Sequence, residues 1–173
     1  MTKCPNKVAL RILCLAAATV MSLGAADAAV VAALGASNTH GKGVSRAQAY
    51  PAQLEALLRA GGHPARVVNA GINGDTTGGM LRRLDRAVPS GTTVVILQPG
   101  GNDRRRGTAG DRAANIAAIQ SRLTARGIRV IMLENDMLRG YPHQPDGQHL
   151  TPDGYHALAQ ALLGQVEAAL GSR

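Results

Sequence analysis

The 173-residue chain has no Phe and no Trp, and its only aromatic carbocycles are Tyr50, Tyr141 and Tyr155. That scarcity argues against a stacking platform for single-stranded nucleic acid. It also removes the aromatic surfaces on which sugars often rest. The core has to be built from Ala, Val, Leu and Ile. Cysteine is nearly absent too: Cys4 and Cys14 are the two, and both lie near the N-terminus. From residue 29 onward there is no thiol, hence neither a disulfide nor a cysteine nucleophile. No apolar run reaches the roughly 20 residues of a membrane-spanning helix. Acidic residues are in the minority, 11 Asp+Glu against 19 Lys+Arg, for a net charge of +8. No binding motif accompanies the basic residues, so nucleic acid is not an expected partner. The histidines show no helical metal spacing of the H-E-x-x-H kind.

What is present is one domain's worth of ordinary globular chain. Hydrophobic residues make up 45%, and a chain of this size buries roughly 70% of its unfolded surface without staples. The N-terminus reads separately. Lys3, Lys7 and Arg11 form a positive region, Ile12 to Leu23 is a short, mostly apolar run, and Ala26-Asp27-Ala28 resembles a cleavage site. These are the three parts of a secretory signal peptide. The expectation is a cleaved leader over residues 1–28, a single domain over 29–173, a periplasmic or secreted location and no stable membrane anchor after cleavage.

The rest alternates apolar strands with amphipathic helices. Val30-Val31-Ala32-Ala33-Leu34 is a buried-strand pattern ending at Gly35. Ser45 is placed to cap a helix carrying Ala47, Leu54, Leu57 and Leu58, stopped by Gly61-Gly62. Arg66-Val67-Val68 is a second strand, running into the glycine-rich turn Asn69 to Gly74. Thr76 or Thr77 starts a helix with Met80, Leu81, Leu84 and Val88. Thr93-Val94-Val95-Ile96-Leu97 is the strongest strand. Asp111 precedes a third helix with Ile116, Ile119 and Leu123, and Ile128 to Leu133 forms a fourth strand. A loop from Glu134 leads to Thr151, which caps a last helix beginning at Pro152. This order predicts an α/β fold with a parallel sheet covered on both faces. In such sheets, sites form at the carboxyl ends of the strands.

The unusual polar clusters follow the first three strands or precede the last helix. Ser37 follows the first strand. Gly71 to Asp75 follow the second, and Gly100 to Asp103 the third. Asp146 and His149 stand three apart before the last helix. A serine nucleophile needs a base and a group to orient that base. His149 can serve as base and Asp146 as orienter, while Gly74 and Asn102 can donate to a developing oxyanion. Taken singly, each residue also fits a turn or a helix entry.

Together, Gly35-Ala36-Ser37-Asn38-Thr39-His40-Gly41, Asn69 to Thr77, Gly100-Gly101-Asn102-Asp103 and Asp146-Gly147-Gln148-His149 resemble the four blocks of the SGNH (GDSL-type) hydrolases, in the family's order. The likeness runs over residues 30 to 165 and is nearest to small secreted esterases, acyl-thioesterases and lysophospholipase-like members. It implies a flavodoxin-like three-layer α/β/α sandwich with a four- to five-stranded parallel sheet. It implies catalytic Ser37, Asp146 and His149, an oxyanion hole from the Ser37 and Gly74 amides and the Asn102 side chain, and no cofactor or metal. The substrate would be a small acyl ester. The alternatives are a carbohydrate O-acetyl esterase, or a non-catalytic envelope-binding protein on a degenerate scaffold. His40 and Arg104 are candidates for the substrate rim. Arg104-Arg105-Arg106 reads either as a site for an anionic group or as a solvated loop.

Two departures stand out. Ala36 occupies the position before the nucleophile where relatives have Asp. The segment before Asp146 is short, leaving room for a four-stranded sheet with an open site, or for a minimal edge segment at Met137 to Pro142.

Overall fold

Runs of small and β-branched apolar residues dictate the centre of the molecule, because their side chains fill a pleated surface buried on both faces. In the computed structural model, which describes Met1 and residues 28–171, these runs form β1 (Ala29–Gly35), β2 (Ala65–Gly71), β3 (Thr92–Gln98) and β4 (Arg129–Met132). All pairings are parallel, in the order β2-β1-β3-β4. Apart from Met1 and Ala28, the leader expected over residues 1–28 lies outside the described residues.

The helices are α1 (Ser37–His40), α2 (Tyr50–Ala60), α3 (Thr77–Arg82), α4 (Leu84–Ala87), α5 (Asn102–Arg105), α6 (Arg112–Ala125) and α7 (Pro152–Gly171). Strand alternation sorts the core into two clusters. Val31, Ala33, Val94 and Ile96 meet α2 and α7 through Tyr50, Leu54, Leu58, Tyr155, Leu158 and Leu162. Ala32, Leu34, Val95 and Leu97 meet α3, α4 and α6 through Met80, Leu84, Ile119 and Leu123. The three-layer arrangement is the one expected.

Several boundaries differ from expectation for identifiable reasons. Ser45 caps a separate 3-10 turn, Arg46–Gln48, in a capping box. The helix proper starts at Tyr50, after an extended Ala49 and with Pro51 in its first turn. The helix expected from Thr76 to Val88 is divided at Arg83. Its guanidinium reaches back to Asp75 at 2.8 Å and to the Gly35 carbonyl at 3.1 Å. Among the described residues the sheet has four strands. The edge segment considered at Met137 to Pro142 is instead mostly a 3-10 turn, Asn135–Gly140, anchored by buried Leu138. A further parallel strand requires a crossover of a dozen or more residues, and the chain here turns directly into the loop before α7.

Candidate active site

The site forms where the carboxyl ends of β1, β2 and β3 meet the loop before α7. Gly35 and Gly71 pair in register at the ends of β1 and β2. There α1 crosses so closely that a Cβ on Gly71 would lie 2.2 Å from the His40 backbone nitrogen. Only glycine permits that approach. It seats Ser37 in the first turn of α1, pointing into the crevice.

Ala36 is 1% exposed and packs with the α3–α6 cluster. A carboxylate there would be buried among apolar side chains. The backbone at this turn is tied down differently. The Ala36 amide donates to Gln98 Oε1 at 3.2 Å, and Thr39 Oγ1 donates to the same oxygen at 3.3 Å. Gln98 Nε2 donates to Asn135 Oδ1 at 2.9 Å. One buried amide thus joins the nucleophile turn, the end of β3 and the segment after β4. Sequence reasoning missed Gln98; its one signal is an amide closing an otherwise apolar strand.

The second side comes from the loop Tyr141–Thr151. A left-handed Gly147 and an isolated antiparallel bridge between His143 and Leu150 fold it back on itself. Asp146 Oδ1 accepts the amides of Gln148 at 2.9 Å and His149 at 3.0 Å, while its Oδ2 lies 2.5 Å from His149 Nδ1. The bond with the His149 ring, followed by the two backbone amides, holds the Asp146 carboxyl far below the ordinary carboxylate range. An ionised carboxylate only accepts, so Nδ1 carries the hydrogen. Nε2 is then left as an acceptor, and it lies 2.9 Å from Ser37 Oγ. Ser37, His149 and Asp146, separated by up to 112 positions in the chain, thus form one hydrogen-bonded line.

Donors surround the serine. Residues Ile72 to Asp75 form a turn with Gly74 in the left-handed region, φ 73°. Among the described residues no acceptor takes the amide hydrogens of Ser37 or Gly74. Asn102 is buried at the start of α5. Its Nδ2 donates to the Asp75 carbonyl at 2.8 Å, and its Oδ1 accepts from Arg105 Nη1 at 3.2 Å. These two bonds fix which face of the amide is nitrogen and leave its second hydrogen available. Arg105 also bonds Gln148, linking the Asn102 side to the His149 loop.

A second brace reaches the loop through Asn38. Tyr155 on α7 donates its hydroxyl to Asn38 Oδ1 at 3.1 Å, and Asn38 Nδ2 donates to the Gln148 carbonyl at 3.0 Å. Burial pushes the Tyr155 phenol up to about 12, so it remains a donor at ordinary pH. The Tyr155 ring is buried in the core, and its hydroxyl has this additional task.

The rim candidates separate. Arg104 lines a cavity of about 220 Å³ beside Ser37, with Ala36 and Leu138 as its apolar contributions. His40 lines neither this cavity nor the adjoining one. Its Nδ1 is 3.3 Å from the Gly71 carbonyl, because the single turn of α1 carries it away from Ser37 and over the end of β2.

Residues 33–171 match the model of the GDSL-like lipase/acylhydrolase family. The chain belongs to this family. Over 122 residues it is 34% identical to Esterase TesA of Pseudomonas aeruginosa, an alignment covering 69% of this chain and 60% of that relative's length. Among solved structures, it resembles AlinE4, described as an SGNH-hydrolase family esterase. The identity is 27%, the TM-score 0.58, and the coverage 84% of this chain and 75% of the other. Esterase EstA from Pseudoalteromonas sp. shares the fold at 18% identity and a TM-score of 0.72, over 83% of this chain and 99% of that one. The GDSL-family membership and the four-stranded parallel sheet agree with the resemblance carried by the four sequence blocks.

Proposed function

We propose that the chain is a serine esterase that cleaves short acyl esters through an acyl-enzyme on Ser37. The observation that carries this reading is the hydrogen-bonded line from Asp146 through His149 to Ser37. Ser37 Oγ attacks the ester carbonyl carbon while His149 Nε2 takes the hydroxyl proton. The Ser37 and Gly74 amides and Asn102 Nδ2 hold the oxyanion. As it collapses, the bond to the leaving alcohol breaks and His149 returns the proton to that oxygen. Water then repeats the attack on the acyl carbon, with His149 again taking and returning a proton. The carboxylic acid leaves and Ser37 is restored. Asp146 keeps the imidazole hydrogen on Nδ1 throughout.

The scarcity of apolar lining supports short acyl groups over long ones, since a long chain needs apolar surface to leave water. It also favours a second reading, removal of acetyl groups from a polar carbohydrate. Hydrolysis of p-nitrophenyl acetate through long-chain esters by the purified protein tests both. The expected profile falls with chain length and vanishes in Ser37→Ala. Turnover retained in Ser37→Ala would overturn the mechanism. A folded protein that neither turns over these esters nor forms an adduct with a covalent serine probe would fit a binding protein instead. The proposal includes export, with residues 1–28 removed; an N-terminus beginning at Ala29 in protein recovered from the periplasm is the expected result.

A further inference from the structure

We propose that the cavity beside Ser37 holds an anionic group of the substrate, a carboxylate or phosphate. This deepens the esterase reading and rests on it for the ester; the anion site itself rests on the cavity.

Three guanidiniums line that cavity: Arg104 and Arg105 from α5, and Arg139 from the 3-10 turn after β4. His143 adds a fourth basic side chain, and no Asp or Glu lines the cavity. The turn that replaces the expected edge segment is what carries Arg139 there. Three acids of the flanking segments are committed elsewhere. Glu134 pairs with Arg112 at 3.0 Å, and buried Asp103 accepts from Thr77. Asp146 lines only the adjoining hollow, with both oxygens engaged by His149 and Gln148.

The cations themselves lack anions. Among the described residues, the side chains of Arg104 and Arg139 make no hydrogen bond or ion pair, while Arg105 is met by the neutral amide oxygens of Asn102 and Gln148. Gathering like charges around one small space is unfavourable unless something negative enters it. Guanidinium is suited to that role because its planar fork binds carboxylate or phosphate oxygens in pairs. The remaining lining, including Gln98, Asn135 and the apolar Ala36 and Leu138, holds no carboxylate. Arg105 occupies a special place, touching Asn102 on one side and the His149 loop on the other. An anion drawn into the cavity therefore sits against the same guanidinium that holds the Asn102 amide.

Two measurements test the site. The first uses binding alone, with phenyl phosphate and benzoate titrated calorimetrically into Ser37→Ala, the same variant carrying Arg104→Gln and Arg139→Gln, and the same variant carrying Arg66→Gln. Arg66 is an exposed cation near the amino end of β2, and its loss controls for removal of a charge outside the cavity. The expected result is binding that weakens about tenfold per cavity guanidinium lost and is unmoved by Arg66→Gln. Equal affinity in all three would overturn the site. The stronger of the two ligands identifies phosphate or carboxylate as the group held.

The second compares kcat/KM for 4-acetoxybenzoate, 4-acetoxyphenyl phosphate and the neutral methyl 4-acetoxybenzoate. The expected outcome is an anionic-to-neutral ratio that falls about tenfold or more in the Arg104→Gln, Arg139→Gln protein, chiefly through KM, and that falls with added salt. A ratio unchanged by the double substitution would overturn the proposal. Absence of Ser37-dependent turnover on all three esters strikes the esterase reading instead, and the binding titration then decides the anion site separately.

Discussion

The two halves of the site are built by different means. Ser37, Gly74 and Asn102 stand at the ends of three parallel strands, where backbone pairing and close glycine contacts set their positions. His149 and Asp146 stand on a loop that is held by individual side-chain bonds from Asn38, Gln144 and Arg105. The strand-end half fails only if the sheet does. The loop half can lose its alignment while the protein stays folded, because each brace contributes about 1 kcal/mol. Substitutions on the two halves should therefore separate stability from turnover.

The largest effects come from the reacting line itself. Under the proposed mechanism, Ser37→Ala and His149→Ala each lower kcat by about 10⁴-fold or more, with little change in Tm, and the double variant is scarcely worse than either single. Additive losses in the double variant would show that the two residues do not act together. Asn102→Ala follows, at about 10²- to 10³-fold in kcat, since in the proposed mechanism it removes an oxyanion donor as well as the partner of Arg105.

Gly71→Ala tests the strand-end half through stability. Its new methyl would meet the backbone of Thr39 and His40 at 2.6 and 2.2 Å. Neither atom is the end of a flexible side chain, so about 3 kcal/mol of stability is expected to go, read as a lower denaturation midpoint. Tyr155→Phe tests the loop half. It removes the donor to Asn38 Oδ1 and leaves that buried oxygen unsatisfied. The expected cost is about 1–2 kcal/mol, with kcat reduced several-fold at an unchanged chain-length profile. A fall in stability equal to that of Gly71→Ala, with turnover intact, would erase the distinction between the halves.

The same division explains what could be seen in the sequence. Val94 to Leu97 read directly as a buried strand because β-branched runs have few other stable settings. The four blocks could be placed in order because each stands at a strand end or a helix entry. Gln98, Tyr155 and Arg139 could not be assigned their places, since their partners lie 37 to 117 positions away or across a cavity. Arg83 divided a helix whose apolar spacing was continuous, because its ion pair with Asp75 outweighs a local preference.

The smallest expected change in stability separates the charge of Asp146 from its position. The carboxyl is held below its unfolded value, so the ionised form favours the folded state. That contribution is complete above an unfolded value of about 4 and fades as the pH falls through the lower folded value. Its size is limited because the side chain is 41% exposed. Asp146→Asn should therefore narrow its stability deficit relative to the parent as the pH is lowered from 6 to 3, measured by urea unfolding at each pH. Turnover behaves differently. An Asn amide can present its nitrogen to the imidazole and leave the hydrogen on Nε2, so kcat should fall by orders of magnitude even at pH 6. A stability deficit that is constant with pH would mean that the backbone bonds to Gln148 and His149 matter more to the loop than the carboxylate charge.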